Sequence, residues 1–511
     1  MYELNYDLDY VNSKNNTINS NWLRQIGKAF YSFSDFKTGV DFLAEDKRET
    51  KSGKDSLLVT SLKYSEIAPS IEMIGTSGFD GRVSYSFREE SFPLKGSMIK
   101  QSNAVAQNFR LNYKGLKEFS TSLSVTFRNK KYTEDFRRQG FSDNETVLLL
   151  SQSRLNLWSG SVQGDIYYQA ATEQSAKFEK VFLRVPKGTG NYIYLSDLNN
   201  NGIPEENEFQ ITSYEGDFIL VTIPTDKLFP VMDLKANTRL RIDFSRMITD
   251  NSFFANVIKP IATETSWRVE ENSKEPDTKK IYLLNLSHFL NDSTTIRGTQ
   301  LFQHDINLFQ NNNELSFRLR YIQRKSLNQF SGGIERGYFR ERGLRIRFKM
   351  IEEINNQTEF INQTDDLISP PTSNRARTVT RNDLTSDFSY RPVRDIEVGF
   401  KIATGRSQDD FPKSPTIVDQ NSITLRVNLS FENIGRFRIE AERTEVTSSS
   451  SNFNIPYEIT RGNAIGKNYF WRVFFDYRLS GFIQTSLSYD ARLQGSSRVI
   501  QTMRAEARAY F

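Results

Sequence analysis

The sequence predicts an all-β fold: a large antiparallel transmembrane β-barrel of roughly 16 to 22 strands with a small inserted β-unit. Apolar and polar residues alternate with the two-residue period of a β-strand in one segment after another. No segment keeps the apolar spacing of an amphipathic helix over three turns. The last nine residues alternate most strictly, with Met503, Ala505, Ala507, Ala509 and Phe511 on one face and Arg504, Glu506, Arg508 and Tyr510 on the other.

Four hairpins with short turns justify the strand assignment along the chain. Their strands and turns are residues 109–113 and 123–127 around 114–118, 384–390 and 396–402 around 392–395, 423–431 and 437–441 around 432–435, and 471–479 and 483–491 around 480–481. We interpret the polar stretches 270–278, 355–383, 406–421 and 446–467 as long connections. Short turns at one end and long loops at the other are typical of outer-membrane barrels.

Composition fits this class. The chain has 511 residues, 13% of them aromatic, and a mean hydropathy of −0.56. A barrel dilutes its hydropathy because alternate residues face its interior, and its aromatic residues mark the membrane interfaces. No apolar run is long enough for a transmembrane helix, and the absence of cysteine excludes disulfides and thiolate metal sites. A net charge of +5 does not indicate a nucleic-acid partner.

The predicted organisation has three parts: barrel strands in residues 1–177, an inserted β-unit in 178–235, and further barrel strands in 236–511 that end in the closing strand. A barrel of this size is too wide for side chains to fill, so we expect water, a plug or a partner inside it. The chain starts in mid-pattern without a signal peptide. We therefore expect residues to precede Met1 in the full-length protein and Phe511 to be its true end.

The inserted unit contains a calcium-type loop, Asp197-Leu-Asn-Asn-Asn-Gly-Ile-Pro-Glu-Glu-Asn-Glu208. The twelve-residue loop pattern predicts ligands from Asp197, Asn199, Asn201, the carbonyl of Ile203, Glu205 and Glu208. The flanking segments indicate strands and no helix pair, so we expect a structural calcium site and not a sensor. Asn199 and Asn201 lower the anionic charge of the loop, so we expect weak binding, on the order of 10⁻⁴ to 10⁻³ M. The alternative is a surface turn in which Asp197 and the asparagines only cap the backbone.

Two parts of the chain resemble known proteins. The Gly188-x-Gly190-x-Tyr192 segment, the loop ending in Glu208-Phe209 and the following strand resemble a segment of large surface and outer-membrane proteins of Bacteroidota, and suggest comparison with the translocon barrels of type IX secretion. The last strand resembles the sealing strand of outer-membrane barrels. The resemblance implies location in the bacterial outer membrane, recognition by the barrel-insertion machinery, contact with outer-membrane lipid, and periplasmic or surface protein partners.

Two other groups of residues are candidates for chemistry. His288 and His304 are the only histidines, and a surface enzyme acting at His304-Asp305 is a weaker hypothesis than a structural role for both. The basic run from Arg318 to Lys349 places Arg345, Arg347 and Lys349 opposite an apolar face, which predicts that they point into the barrel. They could attract anionic solutes there, or pair with carboxylates such as Glu335 or Glu352 on neighbouring strands.

These features predict a non-enzymatic outer-membrane barrel that acts as a conduit or scaffold for transport, translocation or assembly at the cell surface. The rival hypothesis is a secreted soluble all-β adhesin or glycan-binding protein, with the calcium loop as a structural clamp. In that case the apolar faces should pair into a sandwich core.

Overall fold

The computed structural model describes residues 1–202, 204–248, 250, 252–275, 289–370, 373, 375–411, 415–431, 434–449, 455 and 457–509. The chain divides into two compact units. Unit 1 contains residues 1–175, 229–240 and 269–289, and unit 2 contains residues 176–228, 241–268 and 290–511.

The secondary structure of the described ranges consists mainly of extended strands. The strands are β1 (Tyr2–Lys14), β2 (Ile18–Phe33), β3 (Phe36–Lys51), β4 (Leu62–Thr76), β5 (Phe79–Leu94), β6 (Ser97–Tyr113), β7 (Phe119–Tyr132), β8 (Asn144–Leu157), β9 (Val162–Arg184), β10 (Gly190–Tyr194), β11 (Phe209–Gly216), β12 (Phe218–Asp243), β13 (Ile261–Ser273), β14 (Thr295–Leu308), β15 (Leu315–Phe330), β16 (Gly333–Ile351), β17 (Ile354–Ile368), β18 (Arg377–Val393), β19 (Ile396–Asp409), β20 (Thr416–Phe431), β21 (Gly435–Ser448), β22 (Gly466–Ser480), β23 (Ile483–Gln494) and β24 (Ile500–Ala509).

The helices among the described residues are few and short. They are α1 (Glu134–Arg137), α2 (Phe244–Met247), α3 (Phe253–Ile258) and α4 (Tyr457–Thr460), with single 3₁₀ turns at Trp158–Gly160 and Glu206–Glu208. None of the helices in the described ranges is long and apolar enough to cross a membrane. The prediction that helical structure is scarce is confirmed.

Each unit is built on an antiparallel sheet of sequential neighbours. In unit 1, every strand from β1 to β8 pairs with the next. In unit 2, every strand from β14 to β24 pairs with the next. The predicted all-β antiparallel fold is confirmed. Of the 24 strands described, only β10 and β11 have fewer than ten residues, and the other 22 agree with the predicted range of roughly 16 to 22.

The predicted alternation divides the unit 2 strands between an apolar face and a polar face. Directly opposed residues share a face of the sheet, and one such row on the apolar face consists of Ile306, Leu319, Leu344, Phe360 and Leu384. A second row is formed by Tyr390, Val398, Val427, Ile439, Val473, Tyr489 and Met503. Leu319, Phe360 and Leu384 are more than two-fifths exposed, so these rows are not covered by a second layer.

The opposite face of these strands is charged. Arg345 pairs with Glu359 at 3.0 Å, and Arg472 pairs with Asp490 at 2.7 Å. Unit 1 repeats the arrangement on its own strands, where Ile71, Val83, Phe109, Val125 and Leu149 form an apolar row from β4 to β8. Ile71, Val83 and Phe109 are exposed.

All four predicted hairpins are present, as β6–β7, β18–β19, β20–β21 and β22–β23. β24 continues the alternation at the end of the sheet with Met503 opposite Tyr489. Tyr510 and Phe511, which belong to the predicted closing strand, lie outside the described residues.

Two predicted long connections are wrong. Most of residues 355–383 belongs to β17 and β18, and most of residues 406–421 belongs to β19 and β20. The polar side chains that suggested loops fit a sheet here because polar residues also occupy strand faces. Asn356, for example, donates to Ser386 Oγ at 2.9 Å across two strands. The connection 449–465 between β21 and β22 is long, as predicted. Of the predicted loop 270–278, residues 270–273 belong to β13 and residues 276–278 lie outside the described residues.

Candidate functional site

The inserted segment, residues 176–228 of unit 2, has a small aromatic core of its own. β9 and β12 enter and leave it, and β10 and β11 pair between them. Phe209 is almost fully buried and stacks on Phe182 with ring centroids 3.7 Å apart. Tyr194 and Phe218 contact Phe209 at 5.1 and 5.2 Å. This core holds both ends of the predicted calcium loop in place.

The loop between β10 and β11 turns through left-handed backbone at Asn200 and Gly202, with φ of 55° and 71°. Asp197 Oδ2 accepts a hydrogen bond from the Gly202 amide at 2.9 Å. This bond is the largest cause of the lowered pKa of Asp197, and weaker contributions come from other loop amides. The carboxylate therefore stays ionised and closes the turn.

The other predicted ligands also lie in this loop, apart from Ile203, which lies outside the described residues. Asn199 Nδ2 donates to Glu205 Oε2 at 2.9 Å. Asn201 Nδ2 is 3.4 Å from Glu205 Oε1. The Glu208 carboxylate, which is fully buried, accepts from the amides of Leu198 and Glu205 at 2.8 and 3.2 Å.

The fit of these residues to a cation is partial. Asp197 Oδ1 is buried and accepts no hydrogen bond from the described chain, so it is available as a ligand. Both Glu208 oxygens are already held by backbone amides and would have to release them. Within the ranges that the structure describes, no three His, Cys, Asp or Glu side chains are grouped to hold a metal ion. A bound cation would depend on amide and carbonyl oxygens as well as carboxylates.

An ion-pair network joins the inserted segment to the polar face of unit 2. Lys180 Nζ lies 2.9 Å from Glu206 Oε2 and 2.6 Å from Glu335 Oε2 on β16. Arg375 Nη1 approaches Glu206 Oε1 at 3.3 Å. The side chains of Lys180, Glu206 and Glu335 are each at most 15% exposed, so solvent screens these pairs weakly. Glu335, a predicted partner for the basic run, pairs instead with Lys180.

A second loop covers the same polar face. Ile459 of α4 is fully buried against Val379, Val418 and Val446, and Ile455 packs beside it. These three valines are apolar exceptions on the polar face. Polar contacts reinforce the docking: Arg377 Nη1 is 3.2 Å from Glu458 Oε1, Arg381 Nη2 donates to the Ile459 carbonyl at 2.9 Å, and Arg461 pairs with Asp383.

The basic run is distributed over both faces. Arg318 and Arg320 pair with Asp305 at 2.7 and 3.0 Å on the polar face, where Arg345 also pairs. Arg340 and Arg342 belong to the apolar face, because they share the strand parity of Leu344. The predicted pairing of the basic run with carboxylates of neighbouring strands thus describes only part of the run.

The structure does not bring His304 and Asp305 together. As neighbours on a strand they point to opposite faces. His304 Nδ1 is 2.9 Å from Thr265 Oγ1, and Asp305 is engaged by arginines. His288, the other candidate, lies outside the described residues.

No family model matches the chain, and no curated protein matches it. Similar solved structures include the FrpB iron transporter from Neisseria meningitidis, with 10% identity over 97% of this chain and 81% of that chain and a TM-score of 0.38. The outer-membrane transporter YddB from Escherichia coli has 7% identity over 96% and 76%, with a TM-score of 0.40. The siderophore receptor PirA from Pseudomonas aeruginosa has 8% identity over 100% and 80%, with a TM-score of 0.36. At these scores the fold assignment rests on strand pairing alone.

Proposed function

We propose that this chain is a bacterial outer-membrane β-barrel that acts as a conduit or scaffold for transport, translocation or surface assembly. The observation that carries the proposal is the apolar face, whose rows include exposed large side chains on every strand from β15 to β21 and on β24. Water-soluble monomers rarely expose contiguous apolar patches larger than a few hundred Å². A hydrocarbon environment removes this cost.

The height of the apolar face is comparable with the thickness of the hydrocarbon layer of a membrane. In β20 the apolar side chains run from Ile423 to Phe431, eight residue steps or about 27 Å along the strand at ~3.4 Å per residue. At a strand tilt of about 40°, this length spans about 21 Å along the membrane normal. The outward apolar band of outer-membrane barrels is about 25 Å tall. The charged polar face then lines a water-filled interior, where ion pairs such as Arg345–Glu359 are solvated.

The inserted segment and the α4 loop favour a partly occluded conduit over an open pore. Both contact the polar face of unit 2, through Lys180 and Ile459 respectively. A non-enzymatic role is consistent with this arrangement. We propose only that the cargo is a solute or polypeptide that passes a charged wall.

The rival function, a soluble adhesin, needs its apolar faces to pair into a core. The exposed rows argue against that pairing among the described strands. The decisive experiment is purification with and without detergent, followed by gel migration of heated and unheated samples. We expect insolubility without detergent and faster migration of the unheated form. A detergent-free monomer whose migration does not change on heating would refute the barrel.

We also propose that the loop from Asp197 to Glu208 binds a structural calcium ion. The support is Asp197 Oδ1, a buried oxygen that accepts no hydrogen bond in the described chain. Calcium titration of the detergent-solubilised protein should increase amide protection of this loop. Asp197→Asn should abolish the response and Asp292→Asn, a change of equal charge elsewhere, should leave it intact. Equal protection with calcium and with a chelator would show that the loop is only a capped turn.

A further inference from the structure

The apolar face of unit 2 ends at one level across five strands. The apolar row formed by Ile306, Leu319, Leu344, Phe360 and Leu384 is followed, two residues further along each strand, by a polar row. Its members, again directly opposed, are His304, Tyr321, Arg342, Asn362 and Asn382. This row marks the edge of the apolar face on the side of the 369–376 and 449–465 connections.

Arg342 stands in the middle of this edge without a counter-ion. Its side chain is exposed, and its direct neighbours across the strands are Tyr321 and Asn362. No ion pair or hydrogen bond of Arg342 occurs with the residues that the structure describes. Asp366, a carboxylate on this face, lies opposite Tyr338, four residues beyond Arg342.

Two further cations accompany Arg342. Lys325 is exposed and lies opposite Tyr338. Arg340 donates from Nη2 to Thr364 Oγ1 at 3.1 Å, while its Nε has no partner in the described chain. Three positive charges thus face outward just above the apolar rows, and Asp366 interacts electrostatically with Arg340. Arg342 has no such partner among the described residues, so its desolvation would be costly unless an anion accompanied it.

A groove of about 560 Å³ lies at the same level. Ile306, Leu319, Leu344 and Phe360 form its apolar wall, and Tyr321 and Arg342 form its polar rim. Gly343 lies in the groove lining between Arg342 and Leu344. An apolar wall that ends in an unpaired guanidinium is complementary to an amphiphile with an anionic head.

We propose that this groove binds a phosphorylated lipid of the surrounding membrane. The phosphate contacts the guanidinium of Arg342, whose planar fork suits bidentate hydrogen bonds to phosphate. Lys325 and Arg340 add positive potential, and the acyl chains lie along Leu319, Leu344 and Phe360. The inference rests on the proposed membrane location, because the acyl chains need a lipid-facing sheet.

The test uses the full chain in nanodiscs of dioleoylphosphatidylcholine with a minor fraction of dioleoylphosphatidate. Heat-modifiable migration is measured first on every sample. Native mass spectrometry then counts the phosphatidate that stays bound. We expect Arg342→Gln to weaken phosphatidate binding about tenfold, which corresponds to losing ~1.4 kcal/mol, and Arg342→Lys to restore part of it because the charge returns without the fork.

Arg347→Gln is the matched control. Arg347 lies on the same strand, is exposed, and points to the polar face. Its loss therefore removes the same charge from the face opposite the groove. Equal binding by wild type and Arg342→Gln, or an equal loss in both variants, overturns the lipid site. Inorganic phosphate that competes as well as phosphatidate overturns the acyl contribution. Migration unchanged by heating overturns the membrane location itself, so the two failures are distinguishable.

Discussion

Leu425→Arg tests the lipid-facing assignment most directly. Leu425 is 54% exposed and lies opposite Phe400 on the apolar face. It is two residues, about 7 Å, from Val427 at the middle of the apolar stripe. Arginine costs roughly 2 to 4 kcal/mol at the lipid midplane of a barrel and about 0 to 1 near the interfaces. At this depth we expect a loss of about 2 kcal/mol in the free energy of unfolding.

The assay is urea unfolding in phospholipid vesicles, followed by tryptophan fluorescence and by heat-modifiable migration. Asn428→Arg is the control, since it adds the same charge on the polar face of the same strand, between Glu397 and Arg438 of the two neighbouring strands. A soluble protein would tolerate either exposed substitution within about 0.5 kcal/mol. If Leu425→Arg is as stable as Asn428→Arg, the apolar face does not contact lipid and the reasoning fails.

Three further predictions concern the polar-face loops. Lys180→Met should expose the inserted segment to hydrogen exchange, because breaking a buried pair from one side costs roughly 3 to 5 kcal/mol; adding Glu335→Gln should restore part of the protection, and no change in exchange would contradict the ion-pair anchor. Acidification should release the Asp197 turn: its pKa is lowered in the folded state, so the stabilisation is complete above its ordinary pKa of about 3.9 and is lost as pH falls through the lowered value. Exchange at the Gly202 amide should report this, and Asp197→Asn should remove the pH dependence. Ile459→Asp should free the α4 loop and speed tryptic cleavage at Arg461, whereas an unchanged rate would mean that the valine cluster does not hold the loop.

Sequence alternation was sufficient to predict the strands whose two faces differ sharply. In β20, apolar Ile423 and Leu425 alternate with Thr424 and Arg426, and the structure pairs this strand as predicted. The same logic failed in β17, where both faces are largely polar. Asn356 and Thr358 lie on the apolar face and bond to Ser386, so their polarity is satisfied within the sheet. Periodicity cannot reveal a strand when partner side chains supply the hydrogen bonds.

The anchors of the inserted segment could not be predicted from the sequence, because their partners are far apart in the chain. Lys180 and Glu335 are separated by 155 residues, and Arg375 and Glu206 by 169. Spacing along the chain can predict a loop such as Asp197 to Glu208, whose ligands lie within one turn. This spacing does not predict which strands the loop contacts, because those contacts depend on the order of the strands in the sheet.

The sequence contains one signal for the docked α4 loop, because three apolar residues interrupt the polar face of their strands. Val379, Val418 and Val446 are apolar on faces whose neighbours, Arg381 and Thr444 among them, are polar. An apolar residue facing a water-filled interior loses free energy unless something covers it. Here Ile459 covers all three and is itself fully buried. The three valines therefore specify where the α4 loop docks, and any conduit through the proposed barrel would have to pass beside that loop or displace it.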